Sequence, residues 1–106
     1  MNLQIILIDN DLLIRKSWEM AAEKSGHTLT TFSNVDDFIA ISDKFPKETL
    51  IYIDYELDDG VKGDIEAARI SEIGFKEIRL ATGYTGSQLN PPSYILEIVG
   101  KKPAFL

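Results

Sequence analysis

Two continuous apolar runs, Ile5-Ile6-Leu7-Ile8 and Leu50-Ile51-Tyr52-Ile53, punctuate the chain; the first leads into Asp9-Asn10-Asp11 and the second into Asp54. Short, β-branched runs of this kind read as strands buried on both faces. The first strand is predicted over Gln4 to Ile8 and the third over Thr49 to Ile53. Asp11 can cap a helix over Leu12 to Ser25, with a core stripe of Ile14, Trp18, Ala21, Ala22 and Ser25 and with Gly26 as its stop. Thr28 to Phe32 reads as a shorter strand near the sheet edge. A helix starting at Ser33 turns Val35, Phe38 and Ile39 inward and ends before Pro46. After a polar loop from Tyr55 to Gly63, a third helix is expected from Asp64 to Ile73, with Ile65, Ala68, Ile70 and Ile73 among its apolar positions and Gly74 as its stop. Glu77 to Ala81 and Tyr94 to Val99 complete the set as fourth and fifth strands. Strands alternating with helices in this order predict an α/β domain, a doubly wound parallel sheet with helices on both faces.

In such a sheet the carboxyl ends of all strands share one edge, where open α/β folds place their ligand crevices. Asp9 and Asp54 would converge there, and like charges brought that close repel unless a cation joins them or a proton is taken up. A divalent-metal site suited to phosphoryl chemistry is the economical expectation. Two irregularities matter. Gly83 to Ser93 carries Gly83, Gly86, Asn90, Pro91 and Pro92, so no long helix fits between the last two strands. The chain also stops three residues after Pro103, leaving no room for a helix after the fifth strand, and one sheet face is expected to be thinly covered.

Composition narrows the function classes. The 106 residues suit one domain, 1–106, and 44% hydrophobic content allows an ordinary core. Eleven basic against 17 acidic side chains give a formal charge of −6, and the only basic runs are pairs such as Arg15-Lys16 and Lys101-Lys102, which argues against nucleic acid. Cysteine is absent, which removes disulfide and thiolate chemistry and fits a cytoplasmic protein. No run reaches membrane-spanning length, and Met1 to Ile8 lacks the basic lead-in of a targeting signal.

Asp9-Asn10 after the first strand, Asp54 after the third, Ala81-Thr82-Gly83 after the fourth and Lys102-Pro103 after the fifth together resemble the receiver domain of two-component response regulators. The resemblance covers nearly the whole chain. It implies a flavodoxin-like, five-stranded parallel sheet, here with a reduced fourth helix and without the fifth. It further implies that Asp54 accepts a phosphoryl group from a histidine kinase or phosphotransfer protein, that Thr82 hydrogen-bonds that group and that Lys102 pairs with one of its oxygens. Mg²⁺ would be held by Asp9, Asn10, Asp54 and the backbone carbonyl of Glu56, and Lys102-Pro103 is a candidate for a cis peptide. The chain would then be a phosphoacceptor rather than an enzyme, beyond self-catalysed phosphorylation and dephosphorylation. Its signal would be read by a downstream protein partner or by self-association through the face from Thr82 to Lys102, with no nucleic-acid or membrane partner. The segments Gly74-Phe75, Leu80 to Tyr84 and Gly100 to Pro103 also look like compact receivers associated with the C-terminal ends of sensor kinases.

The chain departs from that family in several places. Asn10 stands where a metal-contacting carboxylate is usual, and its neutral amide lowers the expected metal affinity. Val99 occupies the position of an aromatic switch residue, and Glu56 and Tyr84 occupy positions that tune acyl-phosphate hydrolysis. Asp11 serves equally well as a helix cap or a metal neighbour. Of the adjacent Lys101 and Lys102 only one can enter the crevice, and Lys102 is preferred because it precedes the proline. His27 is expected at the surface or as a helix-end partner, and Trp18 in the core. Two other readings remain open: a degenerate receiver serving as a protein-binding scaffold, and a haloacid-dehalogenase-like phosphatase. For the latter, Ile5 to Asp11 resembles the first motif, with Asp9 as nucleophile and Asp11 as general acid.

Overall fold

The computed structural model describes residues 2–57, 60–83 and 91–103. Five strands, β1 (Gln4–Ile8), β2 (Thr28–Phe32), β3 (Leu50–Asp54), β4 (Ile78–Ala81) and β5 (Glu97–Val99), form one sheet in the order β2-β1-β3-β4-β5, and all four pairings are parallel. The helices are α1 (Leu12–Ser25), α2 (Val35–Ala40), followed by a 3-10 turn at Ser42–Lys44, and α3 (Gly63–Glu72). This is the doubly wound, flavodoxin-like arrangement, in which the strand order reverses on either side of β1 and β3 and opens a crevice at their carboxyl ends.

The pleat sorts each buried strand onto two cores. Ile6, Ile8, Ile51, Ile53, Ile78 and Leu80 face Val35, Phe38, Ala67, Ile70 and Phe75 on one side. Ile5, Leu7, Tyr52 and Ala81 pack with Trp18 of α1 on the other. The Trp18 and Tyr52 rings meet edge-on, with centroids 5.1 Å apart. On the α1 side, the β4–β5 end of the sheet is covered by charge: Arg79 lies over the Tyr52 ring at 6.0 Å and pairs with Glu97 (2.9 Å) and Glu77 (3.2 Å).

The helix ends follow ordinary capping chemistry. Asp11 accepts the Leu13 N–H, Asn34 accepts the Asp37 N–H, and Gly26 closes α1 in the left-handed conformation with φ 75°. His27 lies beside that cap, where its Nδ1 accepts the Leu3 N–H at 3.1 Å.

Several boundaries differ from expectation: α2 begins at Val35 rather than Ser33, β3 lies one residue later at both ends, β4 begins at Ile78, and α3 and β5 differ as well. The inward stripe of α3 is Gly63, Ala67 and Ile70, whereas Ile65 is 66% exposed and Ile73 lies past the helix end. The helix starts one residue early because Gly63 must pack directly against the end of β3. The fifth strand is only Glu97–Val99, because Pro92 accepts the Ile95 N–H in a turn and the Tyr94 hydroxyl is drawn to the Asp64 carbonyl at 2.6 Å. No described peptide is cis, so the bond between Lys102 and Pro103 has the default trans geometry. The expected reduced fourth helix falls largely on residues 84–90, which together with Tyr84 lie outside the described residues, as do residues 104–106. Among the described residues, no helix is long and apolar enough to cross a membrane.

Phe38 joins both layers of the larger core, with its ring 5.3 Å from that of Phe75, 5.5 Å from Phe32 and 5.9 Å from Phe45. Phe38→Ala is expected to cost about 3–5 kcal/mol, read as a lower urea midpoint at unchanged m-value. A cost within about 0.5 kcal/mol, the range of neutral surface changes, would contradict this packing.

Candidate functional site

Asp9 and Asp54 continue the pleat of β1 and β3, and both carboxylates are buried at the strand ends (0% and 7% exposed). A single ammonium joins them: Lys101 Nζ donates to Asp9 Oδ2 at 2.7 Å and to Asp54 Oδ1 at 2.6 Å. The remaining polar capacity of Asp9 is also occupied, since Oδ1 accepts the Asp11 N–H at 2.9 Å and the backbone carbonyl accepts from Arg15 Nη1 at 2.7 Å. Thr82, buried at 4% exposure, follows β4 and ties its backbone N–H to the Val99 carbonyl at 2.9 Å. Together with Asn10, Asp11, Ile14, Glu56 and Gly83 these residues line an open crevice of about 580 Å³.

The electrostatics are those of like charges held together by one counter-ion. Burial pushes the Asp54 carboxyl above its ordinary value, the hydrogen bond from Lys101 draws it back in part, and the charge of Asp9 pushes it up again. For Lys101, burial alone would lower the ammonium's affinity for its proton; the hydrogen bonds to Asp54 and Asp9 outweigh this and raise it.

The structure brings together Asp9, Asn10, Asp54, Glu56 and Thr82 as the sequence suggested, but it corrects the lysine. Lys102 is exposed and Lys101 enters the crevice. Its position matches the two-residue period of the pleat counted on from β5. Ile5, Leu7 and Asp9 share one side of the sheet, as do Tyr52 and Asp54, and Val99 lies on that side in β5. Two residues beyond Val99 is Lys101, so extending the alternation past the strand end would have selected it over the residue before the proline. Asp11 is exposed and acts as the α1 cap. Arg15 appeared above as part of a basic pair, and nothing in its spacing announced the contact to the Asp9 carbonyl.

Gly63 was read as a loop residue, and its role is the tightest contact in the site. A Cβ there would run into the backbone carbonyl oxygen of Asp54, while the Gly63 N–H donates to the Tyr55 carbonyl at 2.6 Å. The start of α3 is thereby pressed against the backbone of the phosphoacceptor candidate.

A receiver-like site implies a divalent cation. Asp9, Asn10, Asp54 and Glu56 offer oxygen alone, and the Lys101 ammonium shows that one cation can touch both carboxylates. These residues fit a hard ion that retains several waters, as Mg²⁺ does. They form a sparse site, because no group of three or more acidic, histidine or cysteine side chains is placed to hold a metal among the described residues.

Neither a family model nor a curated protein matches the sequence. Solved structures do match. The chain is similar to the response regulator StyR at 14% identity, over 95% of this chain and 52% of that one, with a TM-score of 0.73. It is also similar to a response regulator from Thermotoga maritima at 16% identity, over 99% of this chain and 89% of that one, with a TM-score of 0.75. The chain thus spans about half the length of StyR and has the receiver-domain fold of response regulators.

Lys101→Met is expected to destabilise the protein by about 2 kcal/mol at neutral pH, between the values for an exposed pair and a fully buried one. The variant should regain stability as pH falls. A native carboxyl with a raised pKa binds more protons than the unfolded chain, so acid favours the native state down to the unfolded value. Lys101 contributes fully below the unfolded lysine value, and its contribution disappears as pH rises through the raised folded value. Urea titrations of both proteins across pH test this, and a stability difference that does not change with pH would remove the ion-pair reading. Separately, Gly63→Ala should cost about 3 kcal/mol through overpacking against Asp54; a thermal melt matching wild type would contradict the close approach.

Proposed function

We propose that the chain is a phosphoacceptor signalling module of a two-component phosphorelay. The observation that carries this reading is the single ammonium of Lys101 bridging Asp9 and Asp54, on a receiver fold, at the edge where Thr82 also ends its strand. An Asp54 carboxylate oxygen attacks the phosphorus of a phosphohistidine on a histidine kinase or phosphotransfer protein. The new P–O bond gives an acyl phosphate as the P–N bond breaks, and the imidazole nitrogen keeps the electron pair. Lys101 moves with the incoming oxygens and offsets their charge, and the Thr82 hydroxyl donates to one of them. Asp9, Asn10, Asp54 and the Glu56 carbonyl would hold Mg²⁺, which would supply additional screening between two anions that otherwise repel. The protein turns over no separate substrate. It works in the cytoplasm and passes its signal to a protein partner, or to a second copy, through the face between Thr82 and Lys102.

A scaffold role is favoured by one specific observation: Lys101 already compensates the buried carboxylates, and Asn10 adds no charge, so the resting crevice has little need of a metal. The phosphatase reading has less support, because its expected general acid, Asp11, is committed to capping α1 and Asp54 shares the ammonium of Asp9.

Incubation with acetyl phosphate and Mg²⁺, followed by intact-mass measurement, tests the proposal. Wild type and Lys102→Met should gain one phosphoryl group, Asp54→Asn none, and Lys101→Met should react about 10²-fold more slowly. Equal incorporation in wild type and Asp54→Asn would sink the phosphoacceptor reading. No incorporation in any variant, with no saturable Mg²⁺ response of Trp18 fluorescence, would favour the scaffold.

A further inference from the structure

We propose that Trp18 is a positioning residue that determines which of the two adjacent lysines faces the acidic crevice. The ladder between β4 and β5 ends at Val99, whose carbonyl accepts the Thr82 N–H. Beyond it the chain continues through Gly100, where an added Cβ would meet nothing within 4 Å among the described residues, so there is open space beside the backbone at that point. Lys101 and Lys102 carry the same charge and the same reach, and either ammonium could compensate Asp9 and Asp54 if the segment rotated. What pins the segment is a side chain from α1. Trp18 Nε1 donates to the Lys101 backbone carbonyl at 2.8 Å, across 83 positions of sequence.

Trp18 is suited to this task because it is tightly packed. It is fully buried, its ring is seated edge-on against Tyr52 at 5.1 Å, and it lies among Ile5, Leu7 and Ala81. An indole N–H is a donor with no acceptor capacity, so its natural partner is a carbonyl. With the Lys101 carbonyl held toward α1, the Lys101 side chain turns into the crevice and Lys102, two-fold alternate to it, faces solvent. The same bond ties the backbone of the residue that carries the site's ammonium to the helix beginning three residues after Asp9. A shift of that ammonium therefore pulls on α1. The orientation is independent of phosphoryl chemistry; its consequence for that chemistry rests on the phosphoacceptor reading.

Lysine-selective acylation in EDTA, with the modified position located by fragmentation mass spectrometry, reads the orientation directly. In wild type Lys101 should react roughly tenfold or more slowly than Lys102, since two charge-assisted hydrogen bonds must open first. In Lys101→Met, Lys102 should remain as reactive as in wild type, because Trp18 still holds the peptide. In the folded double variant Trp18→Phe/Lys101→Met, which keeps an aromatic ring and loses the donor, Lys102 should become protected. Equal reactivity of the two lysines in wild type, protection of Lys102 in Lys101→Met, or continued exposure of Lys102 in the folded double variant would each overturn the proposal. The first two arms do not depend on the stability of a Trp18 variant. No phosphoryl donor enters the assay, so failure of phosphorylation at Asp54 and failure of the positioning role are separately visible.

Discussion

Two buried carboxylates at the ends of neighbouring parallel strands set the terms for the rest of this structure. Parallel order makes the β1 and β3 ends coincide, and burial removes the water that would otherwise separate their charges. The arrangement persists because an ammonium reaches both, and because the Asp11 backbone N–H and Arg15 satisfy the other carboxylate oxygen and the backbone carbonyl of Asp9. Asp54 has fewer such partners: Lys101 and a long contact of 3.4 Å from the Glu56 N–H. That asymmetry leaves the Asp54 carboxyl raised by burial and held down mainly by the one ammonium it shares with Asp9.

The two sheet faces contribute differently. One is a conventional aromatic and aliphatic core centred on Phe38, continuous from α2 to α3. The other is smaller and depends on a single large residue, Trp18, which serves at once as packing and as a hydrogen-bond donor to the segment past β5. Where α1 gives out, an arginine with two glutamates replaces aliphatic cover above Tyr52. Core and site are therefore not separable on this side.

Much of this was legible from residue order. Periodicity located β1, α1 and β2 at their observed bounds, because each is delimited by a strong local signal: the aspartates after Ile8, the Asp11 cap and Gly26. Apolar runs leading into Asp9 and Asp54 indicated the crevice, since strand-end chemistry is itself a local property. What failed was non-local. The inward stripe of α3 is dictated by Gly63 meeting Asp54, so the conspicuous Ile65 points outward while a glycine and Ala67 face the sheet. The fifth strand was shortened by a turn at Pro92 and by the hydroxyl of Tyr94 reaching a distant carbonyl. The lysine was assigned from its neighbouring proline when alternation from Val99 was the stronger physical guide.

The close approach of Gly63 gives the crevice a rigid floor and a yielding wall. With α3 lodged against its main chain, β3 would have little space to recoil were bulk added to the Asp54 carboxylate. Any displacement would fall on the opposite bank, where strand pairing has ended and, among the described residues, the Trp18 indole and the Lys101 ion pairs hold the chain. The molecule thus has an anvil on one side of its acid pair and a lever on the other.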